Sequence, residues 1–259
     1  MKRITVPDIV AKKGKEKITA LTAYDYVTAR IVDEGGVDII LVGDSASMVM
    51  QGNDSTIPIT MDEMIYHTRI VSRAVKRALV VGDMPFGSYQ VSISEGVKNA
   101  VRFMKEGGAH AVKVEGGLEV VDLVERLTAF GIPVMGHIGL MPQRVHQLGG
   151  YKLVRDEGLV EVARALEEAG VFAIVLEKVP MDMARRITES VSVPTIGIGA
   201  GPHVDGQVLV FHDIVGLSGM KLKFVRQYVD GYSIFLDAVR RFVEDVKEGL
   251  FPSEEESYG

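Results

Sequence analysis

PTIGIGAGPHVDGQVLVFHDIVG, residues 194–216, decides where the last strand of this chain lies. Its first part, 194–201, is a short apolar run with the look of a buried strand. Its second part, QVLVFHDIVG (207–216), has strand composition too. Only a few residues separate the two, and a parallel crossover usually takes about a dozen or more. The expectation is therefore that Asp205 is a helix N-cap, that 206–215 is helical, and that Gly216 stops it. KFVRQY (223–228) then becomes the final strand, followed by a helix from about 231 to 249.

Upstream the alternation is plainer. KITALTAYD (17–25), VDIILVGDS (37–45), LVVGDMPF (79–86), AVKVEGG (111–117), PVMGHIGL (133–140) and FAIVLEKV (172–179) are short, rich in Val and Ile, and apolar on both faces, as double burial requires. Between them, 61–76 and 92–108 carry apolar residues at helical spacing, and 118–131 and 158–170 each close on a glycine. Eight strand–helix units in 259 residues predict a single (β/α)8 TIM barrel over 1–259. An N-terminal helix is expected over about 6–13, and the tail from about 251 is expected to fray.

Composition removes several classes of function. A hydrophobic content of 47% with 25% charged residues is that of a globular protein with a large core. No apolar run reaches the ~20 residues of a membrane span, and MKRITVPDIVAKKGK lacks a signal-peptide pattern, so a cytoplasmic location is the default. A formal charge of −6 without a basic stripe argues against nucleic-acid binding. The absence of cysteine excludes disulfides, thiolate metal sites and a cysteine nucleophile.

In such a barrel, chemistry is built at the carboxyl ends of the strands. Those ends read Tyr24–Asp25, Asp44–Ser45, Asp83, Lys113 with Glu115, His137, and Glu177. Asp44, Asp83 and Glu115 come from three consecutive strands, spaced ~4.8 Å apart, so their carboxylates converge. Three carboxylates in one crevice repel unless a cation intervenes, and Lys113 is a single charge. All-oxygen ligation suits Mg2+ or Mn2+ better than zinc. Lys113, two residues before Glu115, shares its face of the strand. Any one of these acids alone reads equally well as a turn or cap residue; together they point to a metal site. Glu177, expected across the barrel from the trio, is placed to act as a base. His137 reads as structural or catalytic, and GIGAG (197–201) as a phosphate cradle or as close packing. The connections 46–60 and 141–157 are long enough to be lids.

LVGDS, VVGDMPFGSY, AVKVEGG, MGHIGLMPQ, LEKVP and GIGAGPHVDGQVLVFHD, in that order, resemble the ketopantoate (3-methyl-2-oxobutanoate) hydroxymethyltransferases over essentially the whole chain. The resemblance implies a barrel of the phosphoenolpyruvate/pyruvate type, one Mg2+ per subunit and a homodecamer of two pentameric rings. It implies transfer of a hydroxymethyl group from 5,10-methylenetetrahydrofolate to 3-methyl-2-oxobutanoate, giving 2-dehydropantoate in the first committed step of pantothenate and coenzyme A synthesis. Carried over by motif, Asp44 and Asp83 bind the metal and Glu115 completes its site, directly or through water. Asp44, Ser45, Asp83 and Lys113 contact the oxo acid, with His137 beside the reacting group, and Glu177 accepts the proton. The alternative is a Mg2+-dependent carbon–carbon lyase on a 2-oxo or 2-hydroxy acid, in the manner of isocitrate lyase. Such enzymes rely on a cysteine acid that this chain does not have. A third possibility is a non-catalytic oxo-acid binder.

Overall fold

In the computed structural model, which describes residues 2–259, the chain divides into two compact units that part between Val210 and Phe211. The first opens with helix α1 (Val6–Val10), where the Asp8 carboxylate accepts from the Thr5 N–H at 2.9 Å and from its hydroxyl at 2.6 Å. This helix is shorter than the expected 6–13; turns carry the chain on to strand β1 (Ile18–Thr22). Then follow α2 (Tyr26–Glu34), β2 (Ile39–Val42), α3 (Ala46–Val49), α4 (Met61–Ala74), β3 (Leu79–Asp83), α5 (Ile93–Arg102) and β4 (Ala111–Glu115). Helix α6 (Val121–Ala129), β5 (Val134–Gly139), α7 (Val145–Leu148), α8 (Leu159–Glu168), β6 (Ala173–Glu177), α9 (Met181–Ser190) and β7 (Thr195–Ile198) complete the alternation up to β8 (Gly206–Leu209).

All eight strands are parallel and close into a barrel in sequence order, β8 pairing with β1 through Ile18↔Gly206 and Ala20↔Val208. The TIM-barrel expectation holds. Ile18, Ile39, Leu41, Val81, Met135, Val175, Ile196 and Val208 form the core, and Ile4 and Ile9 pack against the same cluster from the N-terminal segment.

The last strand is a correction. Gly206–Leu209 is β8, not the start of a helix, and its buried–exposed alternation has the period of a strand. Residues 223–228 form no strand. The crossover rule failed because β7 is only four residues long, so seven residues return the chain to its foot without a helix. At ~3.3 Å per residue those seven reach ~23 Å, ample for a strand of ~13 Å. Gly199 and Gly201 turn the chain through left-handed backbone (φ +66° and +81°), so GIGAG is the tight end of β7. Gly206 sits where a Cβ would strike the Ile18 carbonyl oxygen, so only glycine lets the barrel close there. Asp205 is no N-cap. Its carboxylate accepts from the Thr195 N–H (2.9 Å) and hydroxyl (3.1 Å) and pairs with Lys13 (2.8 Å), tying the foot of β7 to the N-terminal segment.

The second unit, Phe211–Gly259, contains α10 (Phe211–Ile214), one turn long, and α11 (Gly231–Glu248). Asp230 caps α11, accepting from the Ser233 N–H at 3.3 Å. Ile234, Phe235, Val239, Phe242, Val243 and Val246 are all exposed on it. The tail carries a single 3-10 turn, Glu254–Glu256, and is exposed throughout. No helix among the described residues is long and apolar enough to cross a membrane.

Candidate active site

Strands β2, β3 and β4 deliver the three carboxylates as the sequence predicts. One oxygen from each of Asp44, Asp83 and Glu115 lies within 4.8 Å of the others, and all three residues are buried. The register explains this: Asp83 is level with Lys113, and Glu115 with His137, so the strand tips present their side chains to one point. Lys113 Nζ lies 2.7 Å from Asp83 Oδ1 and 3.3 Å from Glu115 Oε1. The Asp44 N–H donates to Asp83 Oδ2 at 3.2 Å.

Burial, reinforced by Asp83 and Glu115, drives Asp44 well above the usual carboxylate range. Burial raises Asp83 as well, against the pull of Lys113. It acts the same way on Glu115, but Lys113 and His137 outweigh it and hold that acid down at about 2. Burial disfavours a charged Lys113, yet the three acids overcome it and keep the ammonium protonated. The pocket thus gathers three buried carboxyl groups, and burial disfavours charge on two of them, Asp44 and Asp83, unless a further cation joins them. A hard dication with oxygen ligands is what this donor set fits.

Glu177 ends β6, four strands round the closed barrel from β2, which leads to Asp44, and two from Glu115 on β4, and it is not isolated. His137 lies between them, with Nδ1 3.2 Å from Glu115 Oε1 and Nε2 3.4 Å from Glu177 Oε2, both poorly aligned for hydrogen bonds. Burial and Lys113 oppose charge on His137, but the two glutamates prevail and raise it to about 9. Immediately after Glu177, Lys178 has φ +44°, the one non-glycine with positive φ among the described residues. Strain of this kind, of order 1–3 kcal/mol, collects at functional sites.

Ser45 follows Asp44, its hydroxyl 2.7 Å from that of the fully buried Tyr24. Asp25, by contrast, is a plain N-cap of α2: one oxygen accepts from the Val27 and Thr28 N–H groups at 2.8 and 2.9 Å. The two long connections meet, with the Tyr151 hydroxyl 3.9 Å from Met48 Sδ. Burial raises the Tyr151 phenol, and the charges of Asp44, Glu177 and Glu115 add to the effect. Val154 and Tyr151 are tied to Lys178, by Val154 N–H to its carbonyl (2.9 Å) and by Lys178 Nζ to the Tyr151 carbonyl (3.1 Å).

Sequence reasoning missed Gln143 and Tyr89. The Gln143 amide Nε2 donates to Asp44 Oδ2 at 3.0 Å, and its backbone N–H to Glu115 Oε2 at 3.3 Å. The Tyr89 hydroxyl lies 2.8 Å from Gln143 Oε1 and accepts from the Glu115 N–H at 3.1 Å. MGHIGLMPQ contains the glutamine, but no periodicity distinguishes it from a loop residue.

The sequence profile of the ketopantoate hydroxymethyltransferases matches residues 3–254. The chain belongs to that family. It is 54% identical to the 3-methyl-2-oxobutanoate hydroxymethyltransferase of Thermoanaerobacter sp. (strain X514) over 253 residues, 95% of this chain and 92% of the relative. The Pyrococcus abyssi (strain GE5 / Orsay) enzyme of the same name is 52% identical over 260 residues, 98% and 92% of the two chains. Among solved structures, phosphonopyruvate hydrolase in complex with oxalate and Mg2+ superposes with a TM-score of 0.63 at 16% identity, covering 98% of this chain and 93% of that one. 2,3-Dimethylmalate lyase, a member of the PEP mutase/isocitrate lyase superfamily, gives 0.62 at 15% identity, covering 100% and 90%. This chain thus shares its barrel fold with both structures.

Proposed function

We propose that this chain transfers a hydroxymethyl group from 5,10-methylenetetrahydrofolate to 3-methyl-2-oxobutanoate, giving 2-dehydropantoate and tetrahydrofolate with consumption of one water. The observation that carries the reading is the convergence of Asp44, Asp83 and Glu115 beside Lys113 in a chain of this family. Asp44, Asp83 and Glu115 would hold Mg2+, the two aspartates directly, and the ion would supply Lewis-acid polarisation of a bound oxo acid that acidifies its C3–H.

Ser45 and neighbouring backbone N–H groups hold the substrate carboxylate, with the Tyr24 hydroxyl fixing the serine rotor. Lys113 opposes the charge that grows on the enolate oxygen. Glu177 takes the C3 proton, and His137, in ion-pair reach of it, steadies the glutamate and orients the water that completes the hydroxymethyl group. The enolate carbon attacks the methylene carbon of the opened folate, forming the C–C bond. The one oriented water then replaces the folate nitrogen on that carbon, so that the C–N bond breaks, its oxygen becomes the hydroxyl and tetrahydrofolate leaves with the proton. Closure of 46–60 and 141–157, which already touch through Met48 and Tyr151, keeps water from the one-carbon unit. The proposed role is the first committed step of pantothenate synthesis, and the proposed location is the cytoplasm. The open apolar face of α11 supports assembly of copies, for which the homodecamer is the proposed form.

Purified protein given Mg2+, the oxo acid and methylenetetrahydrofolate should form 2-dehydropantoate. Cleavage of a 2,3-dialkylmalate instead would establish the lyase alternative, and binding of the oxo acid with no turnover would establish a mere binder.

A further inference from the structure

Between Met141 and Glu157, one residue is buried: Gln143, at 4% exposure, in the 3-10 turn Pro142–Arg144. Its side chain is satisfied on every side. Nε2 donates to Asp44 Oδ2 and to the Met84 carbonyl, both at 3.0 Å, while Oε1 lies 2.8 Å from the Tyr89 hydroxyl and 3.0 Å from Gln90 Nε2. That uses both donors and both acceptor sites of the amide. A flipped amide would set oxygen against the Asp44 carboxylate and the Met84 carbonyl, so the network fixes its orientation. The backbone N–H of the same residue reaches the third carboxylate, Glu115. Gln143 therefore touches acids from β2 and β4 at once, 99 and 28 residues away in sequence.

A buried glutamine could serve packing alone, but packing requires neither donor to face a carboxylate. We infer that Gln143 is a positioning residue that couples metal binding to the order of the 141–157 connection. This rests on the metal reading of the acidic trio. With the amide in place, one oxygen of Asp44 and one of Glu115 are each held by a donor, which fixes how the two carboxylates present themselves to the ion. Conversely, carboxylates drawn to an ion hold Gln143, and with it the start of the connection. Partners of this outer kind typically contribute 10–100-fold to metal affinity.

The test uses Mn2+ as the probe, its free concentration read by electron paramagnetic resonance, on full-length protein. Wild type should bind one ion per chain, and Asp83→Asn should lose it. Gln143→Met, which keeps length and bulk but has no donor, should bind roughly 10–100-fold more weakly. Tyr89→Phe, which loosens the amide without touching an acid side chain, should weaken binding in the same direction by a smaller factor and serves if Gln143→Met does not fold. In parallel, trypsin should cut at Lys152 and Arg155 more slowly in wild type once Mn2+ is added, and saturating Mn2+ should give Gln143→Met no such protection. Undiminished affinity in both variants overturns the inference, and so does weaker binding with protection unchanged, since the glutamine would then not be the link. Tight Mn2+ binding by Asp83→Asn would overturn the metal reading beneath it, a separate result.

Discussion

The two ends of the barrel bury the same chemical group to opposite effect. At the amino end, Asp38 accepts from the Thr19 N–H and hydroxyl, both at 3.0 Å, and pairs with Lys12 at 3.0 Å. Asp205 repeats the device with Thr195 and Lys13. Burial pushes both carboxyls up, but donors and lysines overrule it and hold both below the usual range. At the carboxyl end, Asp44 and Asp83 are buried at least as deeply, yet they share one lysine with Glu115 and stay raised. Burial alone does not mark a functional acid. What separates these two pairs is the supply of donors and cations around them.

Neutralising either side should separate the two ends most sharply. Asp83→Asn or Asp44→Asn should abolish detectable turnover while preserving the fold. In chelator, Asp44→Asn should raise the melting temperature by ~2–4 °C, the equivalent of about 1 kcal/mol of relieved repulsion for a chain of this size. Asp205→Asn should do the reverse. It weakens charge-assisted bonds at the foot of β7, costing ~1.5–3 kcal/mol at neutral pH and leaving turnover per folded molecule unchanged. Calorimetry with activity titration checks all three. Equal stability losses at both ends would erase the distinction.

Glu177→Gln should slow exchange of the substrate C3 proton with D2O, measured by NMR without folate, by roughly 10²–10⁴-fold, the usual reach of a general base. Intact exchange would remove Glu177 from that role. Shortening 145–157 while keeping Gln143 should lower turnover more than melting temperature; equal losses would count against a lid.

A pH series gives the smallest effect. Asp38 and Asp205 have folded pKa values below their unfolded ones, near 3.9. Their contribution is complete above that value and is lost as pH falls through the lower folded values. Acid unfolding of Asp205→Asn should therefore be shallower than wild type below about pH 4. An unchanged slope would show that Asp205 is not held low.

Most of the barrel and the acids at its mouth were legible because double burial writes itself as Val/Ile runs, and these runs end at or just before a carboxylate, as at Asp44, Asp83 and Glu115. The eighth strand was not legible. GQVL is four residues long, and what makes it a strand is its fit between β1 and β7, where Gly206 admits the Ile18 carbonyl. Glu177 was legible at the tip of its strand, but the contact that joins it to Glu115 was not, because it runs through His137 on the strand between them. Gln143 left no signal at all: a glutamine after a proline looks like loop, and its meaning lies in partners distant along the chain.

The most direct test of the central claim is C3–H exchange on 3-methyl-2-oxobutanoate in D2O by protein stripped with chelator, before and after Mg2+ is restored, with no folate present. The site described here predicts no exchange above background in the stripped protein and full recovery on adding Mg2+. Exchange that proceeds equally well without the ion would contradict it.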